Sequence, residues 1–143
     1  MDEQALFEEV LKGDRYAISM ICDFARCSQV WDDLIDQDKP VPAKDINMAF
    51  IAVFSSIPRN PFYQTNLHEI QPIIELAIID WMTANLLESE KRMPELSWVL
   101  RDSLTSLLIC CAKIIGGMDW AISVSPKIRQ FIHDESLEDY KNG

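Results

Sequence analysis

Glycine is scarce, with four residues in a chain of 143, and seven prolines interrupt the rest. So few glycines leave little material for β-turns and none for a glycine-rich phosphate loop, whose backbone must enter conformations that only glycine tolerates. Basic residues are outnumbered, 13 Lys and Arg against 23 Asp and Glu, for a net charge of −10. That balance argues against nucleic acid, because phosphate contact needs clustered Lys and Arg, and against an anionic membrane surface. No uninterrupted apolar run approaches the ~20 residues that span a bilayer; Leu104 to Ile115 is broken by Thr105, Ser106 and Lys113. Cys22, Cys27, Cys110 and Cys111 show neither C-x-x-C pairing nor zinc-ligand spacing, and adjacent Cys110 and Cys111 are poorly placed to bridge each other. Reduced thiols on helices are expected. The start, Met1-Asp-Glu-Gln, is acidic and has no basic, apolar leader pattern, which predicts a cytoplasmic protein.

What the chain has in quantity is helix-forming apolar sequence. Hydrophobic residues make up 48% and charged residues 25%, a balance that supports a packed core. Length and the absence of any linker predict a single helical domain over 1–143, with 136–143 a frayed tail. Nearly every segment between prolines repeats at helical period and none alternates at period two, so the expected fold is all-α, a bundle of about five or six helices. The signals place helices over Asp2 to Lys12, over Asp14 (an N-cap) to Asp36, and from Pro42 through Phe54. A connection follows at Ile57 to Tyr63. Asn66 and Glu69 form a capping-box-like start to a helix from Leu67 to Ser89, apolar almost all round and therefore central. Pro94 opens a helix that ends at Gly116-Gly117, a brief element covers Met118 to Val124, and Ser125-Pro126 starts a last helix to about Asp134. Trp31, Trp81, Trp98 and Trp120 read as core anchors. His68 and His133 stand isolated, with no nucleophile or ligand at readable spacing, and no G-x-S-x-G surrounds any serine.

The chemistry-bearing feature is Val30-Trp-Asp-Asp-Leu-Ile-Asp-Gln-Asp38. At ~100° per residue, Asp32 and Asp36 fall roughly 40° apart on one face, with Asp33 about 60° further round. Asp32 and Asp36 lie within the arc of Ala17, Ile18, Met20, Ile21, Phe24, Ala25, Trp31 and Ile35. Carboxylates there must reach water or be neutralised. They also sit in the last turns of the helix, where free carbonyls already concentrate negative charge. A divalent cation or basic partners resolve that conflict, and hard oxygen ligands at i, i+1 and i+4 suit Mg²⁺. The bland alternative is a solvated acidic helix end with Lys39 and Lys44 as counter-ions.

This run resembles the D-D-x-x-D motif of the isoprenoid diphosphate synthases, an all-α family in which the motif binds Mg²⁺ ions that hold a substrate diphosphate. The resemblance implies metal binding at Asp32, Asp33 and Asp36. The family's second motif, N/D-x-x-x-S/T-x-x-x-E, has its nearest match at Asp80, Ala84 and Glu88; both acids are present, the hydroxyl is absent, and Thr83 is one residue out of place. Asp80 and Glu88 are then further metal candidates, and Arg101 is the expected side chain for phosphate.

A second resemblance covers more of the chain. Trp31-Asp-Asp-Leu-Ile-Asp-Gln-Asp-Lys-Pro-Val41, Asn60-Pro-Phe-Tyr63, Leu100-Arg-Asp-Ser-Leu104, Gly116-Gly-Met-Asp-Trp-Ala121 and Ser123-Val-Ser-Pro126 together look like a family of small proteins encoded by tailed bacteriophages. It implies a phage origin and the host cytoplasm, and adds no activity. Two functions follow from these readings. One is Mg²⁺-dependent binding or processing of a small molecule bearing a diphosphate. The other is a non-catalytic acidic interaction protein that binds a host or phage protein, with dimerisation through an apolar face available to a bundle this small.

Overall fold

A computed structural model of the chain describes residues 2–37, 39–133 and 137–142. The described residues are all-α, without a strand. They group into two units, Phe7–Leu67 and Met1–Leu6 with His68–Gly143, a finer division than the one domain that length and composition predict.

Helix α1 (Glu3–Val10) starts where the Asp2 carboxylate accepts from the Ala5 N–H at 2.7 Å. Helix α2 (Arg15–Asp36) is capped as expected by Asp14, which accepts from Ala17 N–H at 3.0 Å. It buries Ala17, Ile18, Met20, Ile21 and Val30, and ends where Gln37 turns left-handed and its N–H closes on the Asp33 carbonyl. Helix α3 (Ala43–Ile51) packs on α2, with the Cys27 thiol 3.5 Å from the Ala49 carbonyl. The expected helix through Phe54 continues, but as a π turn over Ala52–Ser56, in which Ile57 N–H reaches back five residues to Ala52. The segment read as a connection contains helix α4 (Pro61–Thr65). Its signal was the pair Asn60-Pro61: Asn60 Oδ1 accepts from the N–H groups of Phe62 and Tyr63, and Pro61 fills the first turn, where a missing N–H costs nothing. Asn60 Nδ2 also donates to the Tyr16 carbonyl at 2.9 Å, which ties α4 to α2. Asn66, expected as the cap of the next helix, sends its amide back to the Phe62 carbonyl and closes α4.

In the second unit, α5 (Leu67–Ser89) runs uninterrupted as expected. The helix opened by Pro94 is divided into α6 (Pro94–Leu100) and α7 (Thr105–Gly116). Between them the N–H groups of Thr105, Ser106 and Leu107 bond three residues back, a tight turn that drives Asp102 into the interior. Beyond Gly117 the two short elements expected around Pro126 are one helix, α8 (Met118–Ile132). Proline removes one helical hydrogen bond, yet Ala121, Val124 and Ile128 form an unbroken buried stripe across it and α8 packs against α7. The apolar burial on both sides of that pairing, Leu107, Leu108 and Cys111 with Val124 and Ile128, outweighs the lost bond at about 1.5–3 kcal/mol for each large side chain. Asp134, the expected end of this helix, lies outside the described residues. So do Ser136 and Gly143 of the expected frayed tail, while the rest of that tail forms α9 (Leu137–Asn142), packed on α6.

None of the four tryptophans is a buried core anchor: Trp31 is exposed and Trp81, Trp98 and Trp120 are half-buried. Trp120 instead covers the α7–α8 junction, lying so close to Gly116 that a Cβ there would collide with its indole. Gly117 has open space around it but holds φ 88° and ψ 176°, a conformation essentially confined to glycine. Gly116→Ala and Gly117→Ala are each expected to destabilise the protein by about 1–3 kcal/mol in urea unfolding. The two losses have different causes, so a Trp120→Ala background, which removes the indole but keeps the Cβ at 2.8 Å, should reduce the first and leave the second unchanged.

Candidate functional site

The α2 acids occupy the last turns of their helix, Asp32 and Asp33 half-buried and Asp36 exposed. Asp33 accepts from the Gln29 amide at 3.0 Å. Trp31 and Ile35, which share their arc, are themselves exposed, so the stripe has already opened to water where the carboxylates join it. Asp38 of the same run lies outside the described residues.

The α5 acids belong to the other unit. Asp80 accepts from the Ser103 hydroxyl at 2.7 Å. Glu88 accepts from the Arg101 guanidinium at 2.7 Å and from the Tyr140 hydroxyl at 2.8 Å, and Arg101 also donates to Asn85 at 2.6 Å. Tyr140 further lies 2.9 Å from the Ser97 hydroxyl, and Lys141 pairs with Glu95. Arg101 and Glu88, read from sequence as a phosphate partner and a metal ligand, are thus bonded to each other. This donor set suits an ion pair with hydroxyl support rather than the carboxylate and water shell of Mg²⁺. Among the described residues no three His, Cys, Asp or Glu side chains gather as a metal-holding group. Partial burial raises the Glu88 carboxyl, but the bonds from Arg101 and Tyr140 and the Arg101 charge outweigh it and hold the group below its usual range.

The most enclosed polar constellation involves residues that the sequence reading passed over. Asp102 is buried at the α6–α7 turn; its Oδ2 accepts from Arg129 Nη1 at 2.8 Å and lies 3.1 Å from His133 Nε2, both from the end of α8. Arg129 also reaches the Asp102 carbonyl and the Ser106 hydroxyl, each at 3.3 Å. The His133 ring packs on Trp98 with centroids 4.3 Å apart. Asp102 Oδ1 is buried with no hydrogen-bond partner among the described residues. A buried carboxylate flanked by a guanidinium and an imidazole fixes the turn of one helix to the end of another. The sequence signal was the i, i+4 spacing of Arg129 and His133 on one helix.

All four cysteines carry reduced thiols, Cys111 buried and the others half-buried. Cys110 lines a groove of about 470 Å³ with Glu69, Ile73, Lys113 and Ile114. Burial pushes its thiol up, with the Glu69 charge adding to that and Lys113 opposing it. By length and composition α5 could cross a membrane, because its isolated polar residues do not lower its mean hydropathy enough to exclude that.

Several large apolar side chains are exposed. On α3 and the π turn, Ala49 and Ala52 face inward, while Met48, Phe50, Ile51, Val53 and Phe54 face outward. The Phe50 and Phe54 rings stack at 5.8 Å. No family model, curated protein or solved structure matches the chain.

Two outcomes test these networks. Asp102→Ala should cost about 1–2 kcal/mol in urea unfolding, since it removes the charge-assisted bonds to Arg129 and His133 while those two side chains keep access to water, and Arg129→Lys less than about 1 kcal/mol. Glu88 titrates lower in the folded than in the unfolded chain, so its contribution is complete above the ordinary carboxylate range and disappears as pH falls through its depressed value. Between neutral pH and about pH 3 the wild type should therefore lose more melting temperature than Glu88→Gln, which has no proton to gain there.

Proposed function

We propose that this chain is a non-catalytic helical interaction protein that docks a partner protein presenting apolar side chains ringed by Lys and Arg. One observation carries the reading: α3 and the π turn put alanines inside and aromatics outside. Ala52 is 2% exposed, whereas Phe50 is 58% and Phe54 74% exposed. A helix folded only for its own stability would bury the phenylalanines, each worth about 1.5–3 kcal/mol when removed from water. Exposed stacked aromatics are the side chains that dominate protein interfaces once covered. A π turn beneath them supports the same reading, since such turns are frequent at functional sites.

Charge selects the partner. Asp32, Asp33 and Asp36 lie on α2, which packs on α3, and Asp45 lies in the first turn of α3. With the net charge of −10, they favour a basic surface and rapid, salt-sensitive association. The resemblance of the sequence to small proteins of tailed phages supports a host or phage protein as that partner, met in the host cytoplasm.

A synthetic amphipathic Leu/Lys helix is a direct probe of this chemistry, with a Leu/Glu helix as its charge-reversed control. In fluorescence titration at low salt the Leu/Lys helix should bind in the micromolar range and the Leu/Glu helix should not. Phe50→Ser with Phe54→Ser should weaken binding at least about tenfold. Asp32→Asn with Asp36→Asn should weaken it less and flatten its salt dependence. Binding indifferent to the phenylalanines overturns the proposal. So does a melting temperature raised by Mg²⁺ with pyrophosphate in the wild type but not in the Asn variant, which returns the function to a diphosphate site on Asp32, Asp33 and Asp36.

A further inference from the structure

Among the described helices α9 alone buries no residue; Leu137 and Tyr140 are half-buried and its other side chains are exposed. What ties it to α5 and α6 is polar. The Tyr140 hydroxyl donates to the Glu88 carboxylate on α5 at 2.8 Å, lies 2.9 Å from the Ser97 hydroxyl on α6, and accepts from the Arg101 guanidinium at the end of α6. One residue on, Lys141 pairs with Glu95 in the first turn of α6, a carboxylate that is 57% exposed. Six residues are too few for a helix to persist in water once detached. The helical state of α9 therefore depends on docking, and docking depends on two adjacent side chains.

From this arrangement we infer that α9 is a strap that opens and closes over the Ser97, Glu88 and Arg101 cluster while α5 to α8 stay folded. Both ties suit reversible release. An exposed ion pair adds little stability and is screened by salt, and a hydroxyl that leaves a protein partner regains water. The floor beneath is built to survive the opening. Without Tyr140, Glu88 and Arg101 keep each other at 2.7 Å, Arg101 keeps Asn85 at 2.6 Å, and the Ser97 hydroxyl keeps the Pro94 carbonyl at 3.1 Å. Opening therefore strands no charge, which is what makes a polar contact costly to break. The helices below hold through cores of their own, α5 through Ile70, Ile74 and Leu87, and α7 with α8 through Leu107 and Ile128. An element with few buried contacts on a well-packed base is the kind that opens locally. Closed, the strap caps the cluster with a phenol; open, it presents a carboxylate, a guanidinium and a hydroxyl together to solvent.

Backbone NMR of the full chain at neutral pH and low salt reads the strap directly. In the wild type the Cα shifts of Leu137–Asn142 should be helical, while their amides exchange with solvent at least about 100-fold faster than those of Ile74 and Ala77 in α5. Tyr140→Phe keeps the ring, removes the hydroxyl, and should cost these residues at least about half of their helical shift with α5 to α8 unchanged. Raising NaCl to about 1 M should also reduce the α9 shifts of the wild type, but should move those of Lys141→Met much less, because the screened pair is already gone. Helical α9 shifts that survive Tyr140→Phe overturn the inference, as do α9 shifts that are already coil-like in the wild type. Amides in α9 that exchange as slowly as those in α5 overturn it and make α9 part of one cooperative unit. A Tyr140→Phe chain in which α5 and α6 loosen together with α9 overturns it as well, and makes the hydroxyl a structural tie.

Discussion

The constraint that organises this molecule is volume. The interior is filled by Leu6, Leu11, Met20, Ile70, Leu107 and Ile128, while at α3 with its π turn the inward positions are alanines and the larger apolar side chains lie outside. Ala17, Ala49, Ala52, Ala77, Ala84, Ala112 and Ala121 are all buried. Close helix approach through small side chains gains dispersion contacts and short interaxial distances, but removes less apolar surface than a core of large residues would. The large apolar residues left outside are concentrated on α3 with its π turn and on α5.

Polar contacts in the larger unit tie helix ends and turns together. Asp102 joins the α6–α7 turn to the end of α8, and Glu88 gathers Arg101 and Tyr140, so that α5, the α6–α7 turn and α9 share one ion pair. A charge in such a place contributes little net stability but makes alternative arrangements costly, because any other packing strands a carboxylate or a guanidinium.

The helical class was legible because period and proline placement are local properties. Asp14 and α5 appear where pattern and capping chemistry put them. Pro126 misled because a proline signals a helix start only when nothing overrides it, and here the buried stripe through Val124 and Ile128 does. The break at Asp102 had the opposite origin: no local residue forbids helix there, and the turn exists to bring a carboxylate to side chains 27 and 31 residues further along the chain. His133 looked isolated for the same reason, since its partners are close only after folding. The acidic run was conspicuous in sequence, but whether a carboxylate faces a metal, a guanidinium or water depends on neighbours that spacing does not name. Glu88 shows this most directly, because Arg101, its partner, was visible all along and was assigned a different role.

The apolar faces were hidden by a different ambiguity. Amphipathic reading takes the apolar side of a helix as the inward side, and α5 is apolar almost all round, so sequence alone could only call it central. The covered side holds Ile70, Ile74, Ala77, Ala84 and Leu87, while Leu76, Ile79, Met82 and Leu86, no less apolar, lie outside, so hydropathy alone does not tell the two sides apart. The two faces also differ in their surroundings: Asp45 and the α2 acids lie beside the α3 face, whereas a single carboxylate, Glu75, falls within the arc of the α5 stripe, so charge can discriminate between partners at the first far more than at the second.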